Sequence, residues 1–134
     1  MSKEKVAFLY PSRKDGQHDT ATALLVYDAP SFPFTLDINF HAYFLGFSHN
    51  TAYWITYEIY KDDSDLDEPI SKKGLWLRAK GNPGDEDLSA AAGLKLSDCQ
   101  FKEPGHYFIQ ATIYLDKIAV HKNKAYFKVD LNNE

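Results

Sequence analysis

The stretch LDINFHAYFLG, residues 36–46, constrains the fold of this chain more than any other. Leu36, Ile38, Phe40, Ala42 and Phe44 fall on one side of an extended backbone, and Asp37, Asn39, His41, Tyr43 and Leu45 fall on the other. Successive side chains of a strand point to opposite faces, so an alternation of this length specifies a half-buried strand. An amphipathic helix would instead repeat its apolar residues about every 3.6 positions. No helical period of useful length, internal repeat or low-complexity segment competes with the two-residue pattern.

The rest of the chain is written the same way. KVAFLY (5–10), ATALLVY (21–27), AYWITYEIY (52–60), GLWLRAK (74–80) and LKLSDCQF (94–101) read as strands between polar, Gly- or Pro-containing turns such as PSRKDGQHDT and DAPSFPF. In 52–60 the core set is Tyr53, Ile55, Tyr57 and Ile59, because the opposite parity would bury Glu58. Leu75, Leu77 and Ala79 are in phase in 74–80. The segment GNPGDEDLSAAAG (81–93) predicts a loop with one helical turn, capped by Asp85 or Asp87 and ended by Gly93. EPGHYFIQATIYLDKIAVHKNKAYFKV (103–129) reads as a turn, a strand, a hairpin and a second strand.

About eight or nine short strands with polar turns, and no helix long enough for a parallel crossover, predict two antiparallel sheets packed face to face. The chain has 134 residues, so the expectation is one all-β sandwich domain over 1–134. Pro104 and Gly105 supply a tight corner, and Tyr107 opens the following strand. This placement resembles the tyrosine corner of immunoglobulin-like sandwiches, whose ring packs inside while its hydroxyl bonds an upstream backbone group. Those domains carry a Cys two residues later; Ile109 stands there in this chain.

PSFPFTL (30–36) before a long strand, together with FKEPGHYFIQATIYLDKIAV (101–120), is similar to a family of small uncharacterised bacterial and phage-associated immunoglobulin-like sandwich proteins. The resemblance implies the fold and brings no activity, substrate or catalytic residue with it.

Several function classes find little to stand on. The net charge of −4 opposes a nucleic-acid backbone as the main partner. Lys117, Lys122, Lys124 and Lys128 form a local exception around the last hairpin and read as guards of a strand edge. No stretch approaches the roughly 20 apolar residues of a membrane-spanning helix. The opening MSKEKVAFLY lacks the apolar run of a signal peptide, and Cys99, the single cysteine, cannot form an internal disulfide, so a cytoplasmic protein is expected.

Asp63, Asp65 and Asp67 occupy the first, third and fifth positions of an EF-hand-like calcium loop, but Glu68 stands where Gly is needed and Gly74 where a bidentate Glu is needed. His18, His41, His49, His106 and His121 match no zinc spacing, though His41 and His106 would approach one another if their strands faced. Cys99, between Asp98 and Gln100, reads as a small packing residue whose acidic company raises its thiol pKa. GNPGDEDL lacks the Lys and Ser/Thr of a phosphate cradle, and no nucleophile elbow is present. No metal or cofactor is therefore expected, and the chain reads as non-enzymatic.

What remains is aromatic content: nine Tyr, nine Phe and two Trp make up 15% of the chain. If the strands at 52–60, 106–115 and 125–131 lie side by side, Trp54, Tyr60, Phe108, Tyr114 and Tyr126 share one outer sheet face. Opposed cross-strand rings can stabilise a sheet without binding anything, and a terminus or loop can cover them. A large exposed aromatic patch more often marks an interface, so the expectation is a protein-binding or assembly module, a homo-oligomer included. One rival is a carbohydrate-binding module stacking sugars on Trp54 or Trp76. The other is a small enzyme with a loop-end site holding His41 or His106.

Overall fold

The structure is a computed structural model, and it describes residues 3–13, 22–62 and 68–132. Among the described residues nine strands follow one another: β1 (Lys5–Arg13), β2 (Thr22–Ala23), β3 (Val26–Ala29), β4 (Phe34–Phe47), β5 (Tyr53–Lys61), β6 (Ser71–Leu77), β7 (Leu88–Phe101), β8 (Gly105–Leu115) and β9 (Ile118–Leu131). They form two sheets. One has the order β2-β1-β4-β7 and the other β3-β9-β8-β5-β6. Every pairing is antiparallel except that of β3 with β9.

This is the immunoglobulin order. β1, β4 and β7 hold the A, B and E places, while β9, β8, β5 and β6 hold G, F, C and C′. Residues 78–87, where a D strand would lie, form no strand.

The alternation in 36–46 is realised as expected, with Ile38, Phe40, Ala42 and Phe44 buried. At Gly46 the backbone adopts φ +79, and a Cβ there would overlap the Lys3 carbonyl. The resulting register shift turns Phe47 inward as well as Phe44, and their rings stack 5.4 Å apart. From the other sheet Tyr53, Ile55, Tyr57 and Ile59 point in, as do Tyr107, Ile109, Ala111 and Ile113. The sheets meet through rings: Phe47 on Tyr53 at 4.1 Å and Phe40 on Tyr57 at 5.1 Å.

The tyrosine corner is present. Tyr107 is buried against Phe101, and its hydroxyl donates to the Glu103 carbonyl at 2.5 Å. Asp116 (φ 51) and Lys117 (φ 70) make the two-residue turn between β8 and β9, the left-handed pair that suits the strand twist.

Three expectations need correction. The segment 81–93 holds no helical turn: β7 starts at Leu88, and Gly93 is a strand residue opposite His41. Its alanines have high helix propensity, but a row of half-buried inner positions beside β4 outweighs it. The expected strand 21–27, of which Ala21 lies outside the described residues, is not one strand over 22–27, since the chain leaves the first sheet after Ala23 and joins the second at Val26. The first strand continues past Tyr10 to Arg13, with Pro11 tolerated because it sits in a non-hydrogen-bonded pair with Phe40.

Candidate functional site

β5, β8 and β9 lie side by side, and their register decides what the five outer aromatics become. Tyr60 is opposite Phe108, and Phe108 is opposite Tyr126. The three rings form a row, with centroids 5.4 and 5.8 Å apart. Lys124 reaches over this row, its Nζ 4.6 Å from the Phe108 centroid and 5.5 Å from that of Tyr126. The Tyr60 hydroxyl donates to Glu58 Oε2 at 2.8 Å. Tyr126 remains 47% exposed, and Tyr60 and Phe108 are half-buried by their neighbours.

Trp54 and Tyr114 pair with each other at the other end of the same face. The Trp54 indole lies across Gly74 on β6, in space that any side chain there would take. Trp76 stands beside it, 5.1 Å away at 60°, and is 68% exposed. Thr56 and Thr112, opposite one another and both buried, separate the two clusters. The face expected to be one patch is therefore two. On β8, Phe108 is covered by Tyr60 and Tyr126 on the adjacent strands and by the Lys124 stem, and Tyr114 lies opposite Trp54.

Of the four lysines read as edge guards, Lys128 does other work, and Lys124 has a second contact. Lys124 caps rings, Lys128 pairs with Asp130 at 3.4 Å, and Lys117 lies in the turn. At Lys128 β9 is no edge, because β3 pairs there.

A further aromatic block lies on the outer face of the four-stranded sheet. Phe8 faces Tyr43, and Tyr10 faces His41. Ring planes of Phe8 with Tyr43, Tyr10 with Tyr43 and Phe8 with Tyr10 lie within 20°, 15° and 11°, at 4.6, 6.3 and 6.4 Å. A hydrogen bond to Tyr43, followed by burial, raises the Tyr10 pKa. His41 Nδ1 lies 3.1 Å from Ser12 Oγ, and its ring rests over Gly93. Phe8 is 52% exposed and helps line a groove of 470 Å³ with Tyr43, Leu45 and the β7 residues Ser89 and Ala91. The signal was present in the alternation of 5–10 and 36–46, since Phe8, Tyr10, His41 and Tyr43 all take the outward parity.

The remaining candidates fall apart spatially. His41 and His106 do not meet: they project from the outer faces of opposite sheets. His121 accepts the Val6 N–H at Nδ1, and His49 Nδ1 accepts the Gly81 N–H, both at 3.0 Å. His18, Asp63, Asp65 and Asp67 lie outside the described residues. Among the described residues no three His, Cys, Asp or Glu side chains gather as metal ligands would. Cys99 is fully buried; burial, with smaller contributions from Asp37 and Asp98, pushes its thiol pKa up.

No protein-family model matches the sequence, and no curated protein matches it. Solved structures do resemble the fold. A bacterial adhesin from Mobiluncus mulieris, containing intramolecular disulfide, isopeptide and ester bond cross-links, superposes with a TM-score of 0.62 at 8% identity. That likeness covers 96% of this chain and 58% of the adhesin chain. A putative β-galactosidase from Bacteroides fragilis gives a TM-score of 0.54 at 10% identity, over 92% of this chain and 17% of that one. The chain thus spans just over half of the first structure and a small part of the second. It is an all-β, two-sheet immunoglobulin-like sandwich, of a kind that recurs in bacterial adhesin and glycosidase chains.

Proposed function

We propose that the chain is a non-enzymatic binding or assembly module that engages a protein through the outer face of its five-stranded sheet. The observation that carries this reading is the row Tyr60, Phe108 and Tyr126 under Lys124, with Tyr126 47% exposed at its end. Exposed aromatics are what protein interfaces concentrate at their energetic centres. The adhesin among the structural neighbours supports a binding role and names no partner for this chain.

The test is the double variant Phe108→Lys with Tyr114→Glu, which leaves the inner Ile109 and Ile113 untouched. It should keep the circular dichroism of a sheet protein and lose partner association, or lose solution mass if the partner is a second copy. An unfolded variant would mean that the rings are cover for the sheet. An association that survives in a folded variant would remove this face.

A second reading, saccharide binding, is favoured by the other sheet. Trp54 and Trp76 meet at 60° and offer no flat platform, whereas Phe8, Tyr10 and Tyr43 have near-parallel planes beside a neutral groove of 470 Å³. Ligand sites of this size combine apolar walls with a few placed polar groups, here the Tyr43 and Ser89 hydroxyls. Calorimetric titration with oligosaccharides, repeated on Phe8→Ala with Tyr43→Ala, decides it: heat in the parent that vanishes in the variant supports the reading, and no heat in the parent ends it.

A further inference from the structure

β7 is the end strand of the four-stranded sheet, and the D-strand place beside it is empty of strand. Which of its backbone groups face outward follows from the hydrogen-bond pattern. The Pro11 carbonyl accepts the Leu24 N–H, so it points away from β4, and Pro11 with Phe40 is a non-hydrogen-bonded pair. Antiparallel ladders alternate, so Phe40 exchanges its bonds with Leu94, and Ala42 with Ala92. Ser89, Ala91, Gly93 and Lys95 are then left with N–H and C=O directed off the sheet. The Lys95 carbonyl confirms the phase, because it accepts the Lys73 ammonium at 3.4 Å from the open side.

Open edges are commonly guarded by charge, proline or a bulge. Among the described residues, no strand pairs with the outward backbone groups of Ser89, Ala91 and Gly93, and Lys95 is the one charged residue between 88 and 97. The segment 87–95, DLSAAAGLK, also reads symmetrically about Ala91: Ala90 mirrors Ala92, Ser89 mirrors Gly93, Leu88 mirrors Leu94, and Asp87 mirrors Lys95. Size is matched in three of these pairs and charge is opposed in the fourth.

We propose that two copies of this chain pair β7 with β7, antiparallel, about a two-fold axis through Ala91. The two four-stranded sheets then join into one continuous sheet. Ser89 with Gly93 of the other copy, and Ala91 with Ala91, exchange backbone bonds in phase with the outward-facing groups. On the inner face half-buried Leu88 and Leu94 meet twice. On the outer face exposed Asp87 and Lys95 meet twice, and Lys73 adds a second cation at each of those ends. That opposed charge selects a second copy over an unrelated strand. The interface is separate from the Tyr60, Phe108 and Tyr126 row and does not rest on it.

The experiment is solution mass against concentration by light scattering and sedimentation. The parent should pass from monomer to dimer. Ala91→Pro should be monomeric with unchanged circular dichroism, because the amide it removes faces off the sheet. Asp87→Lys and Lys95→Asp should each weaken the dimer by roughly tenfold or more, as two attractions become two repulsions. Mixed together, these two charge variants should form a one-to-one dimer, since every Lys then faces an Asp. A parent that stays monomeric to about millimolar, a folded Ala91→Pro that still dimerises, or charge variants that do not rescue each other would each overturn the proposal. Should Ala91→Pro fail to fold, the mixing result stands alone as the test.

Discussion

The Tyr53 hydroxyl donates to Glu4 Oε2 at 3.0 Å, with both residues buried, and so ties the segment before β1 to the start of β5. The Tyr53 hydroxyl oxygen in turn accepts the Ser48 N–H at 3.0 Å. Tyr53→Phe removes a donor from a buried carboxylate and an acceptor from a backbone amide. It should lower unfolding free energy by about 1–3 kcal/mol, read from the denaturant midpoint at unchanged slope. A midpoint equal to the parent's would show that the pair contributes nothing.

Two other tyrosines should respond in opposite directions to the same substitution. Tyr107→Phe breaks the corner bond to Glu103 and should cost roughly 0.5–1.5 kcal/mol. Tyr27 is buried with its hydroxyl lacking a hydrogen-bond partner, so Tyr27→Phe should be neutral or stabilising. Thermal melts of both variants side by side would expose an error in either assignment.

Alkaline pH should destabilise the sandwich, and Tyr27 sets the range. Burial pushes its pKa up from 10.0 to about 12, and burial raises that of Tyr57 too. Between those values the unfolded chain has released the proton and the folded chain still holds it, so stability falls as pH rises. The contribution is complete below pH 10 and lost by about pH 12. Chemical denaturation at stepped pH should show a steeper decline in the parent than in Tyr27→Phe. Equal slopes would place the titration elsewhere.

Gly74→Ala should eject Trp54 from its seat. The added Cβ would overlap the indole, which must swing toward solvent or strain β6. The expected cost is about 1–3 kcal/mol, with a red shift in tryptophan emission. A variant with parental emission would mean that the ring does not lie across Gly74.

Much of the fold was legible because the core is built by parity. Ile38 and Phe40 could be assigned inward from alternation alone, Tyr53 and Ile55 from alternation together with the charge on Glu58, and Pro104, Gly105 and Tyr107 announced their corner. The first half of β7 was not legible, since SAAAG has no β-branched or aromatic residue to mark a strand and its pairing with β4 is long-range. The outer surfaces were legible as parity but not as neighbourhoods. Trp54 and Tyr60 are six positions apart on one strand, and only register shows that buried Thr56 and Thr112 divide them into separate clusters. Likewise Phe8 and Tyr43 become a block only once β1 is known to lie beside β4.

Cys99 gives this protein a clock. Its thiol has no exposed surface and a pKa raised by burial, so a thiol reagent reacts only with molecules that have opened around it. At saturating reagent the labelling rate counts opening events one by one. At limiting reagent it reports how often the open form is populated. No label needs to be engineered to time how long the two sheets stay together.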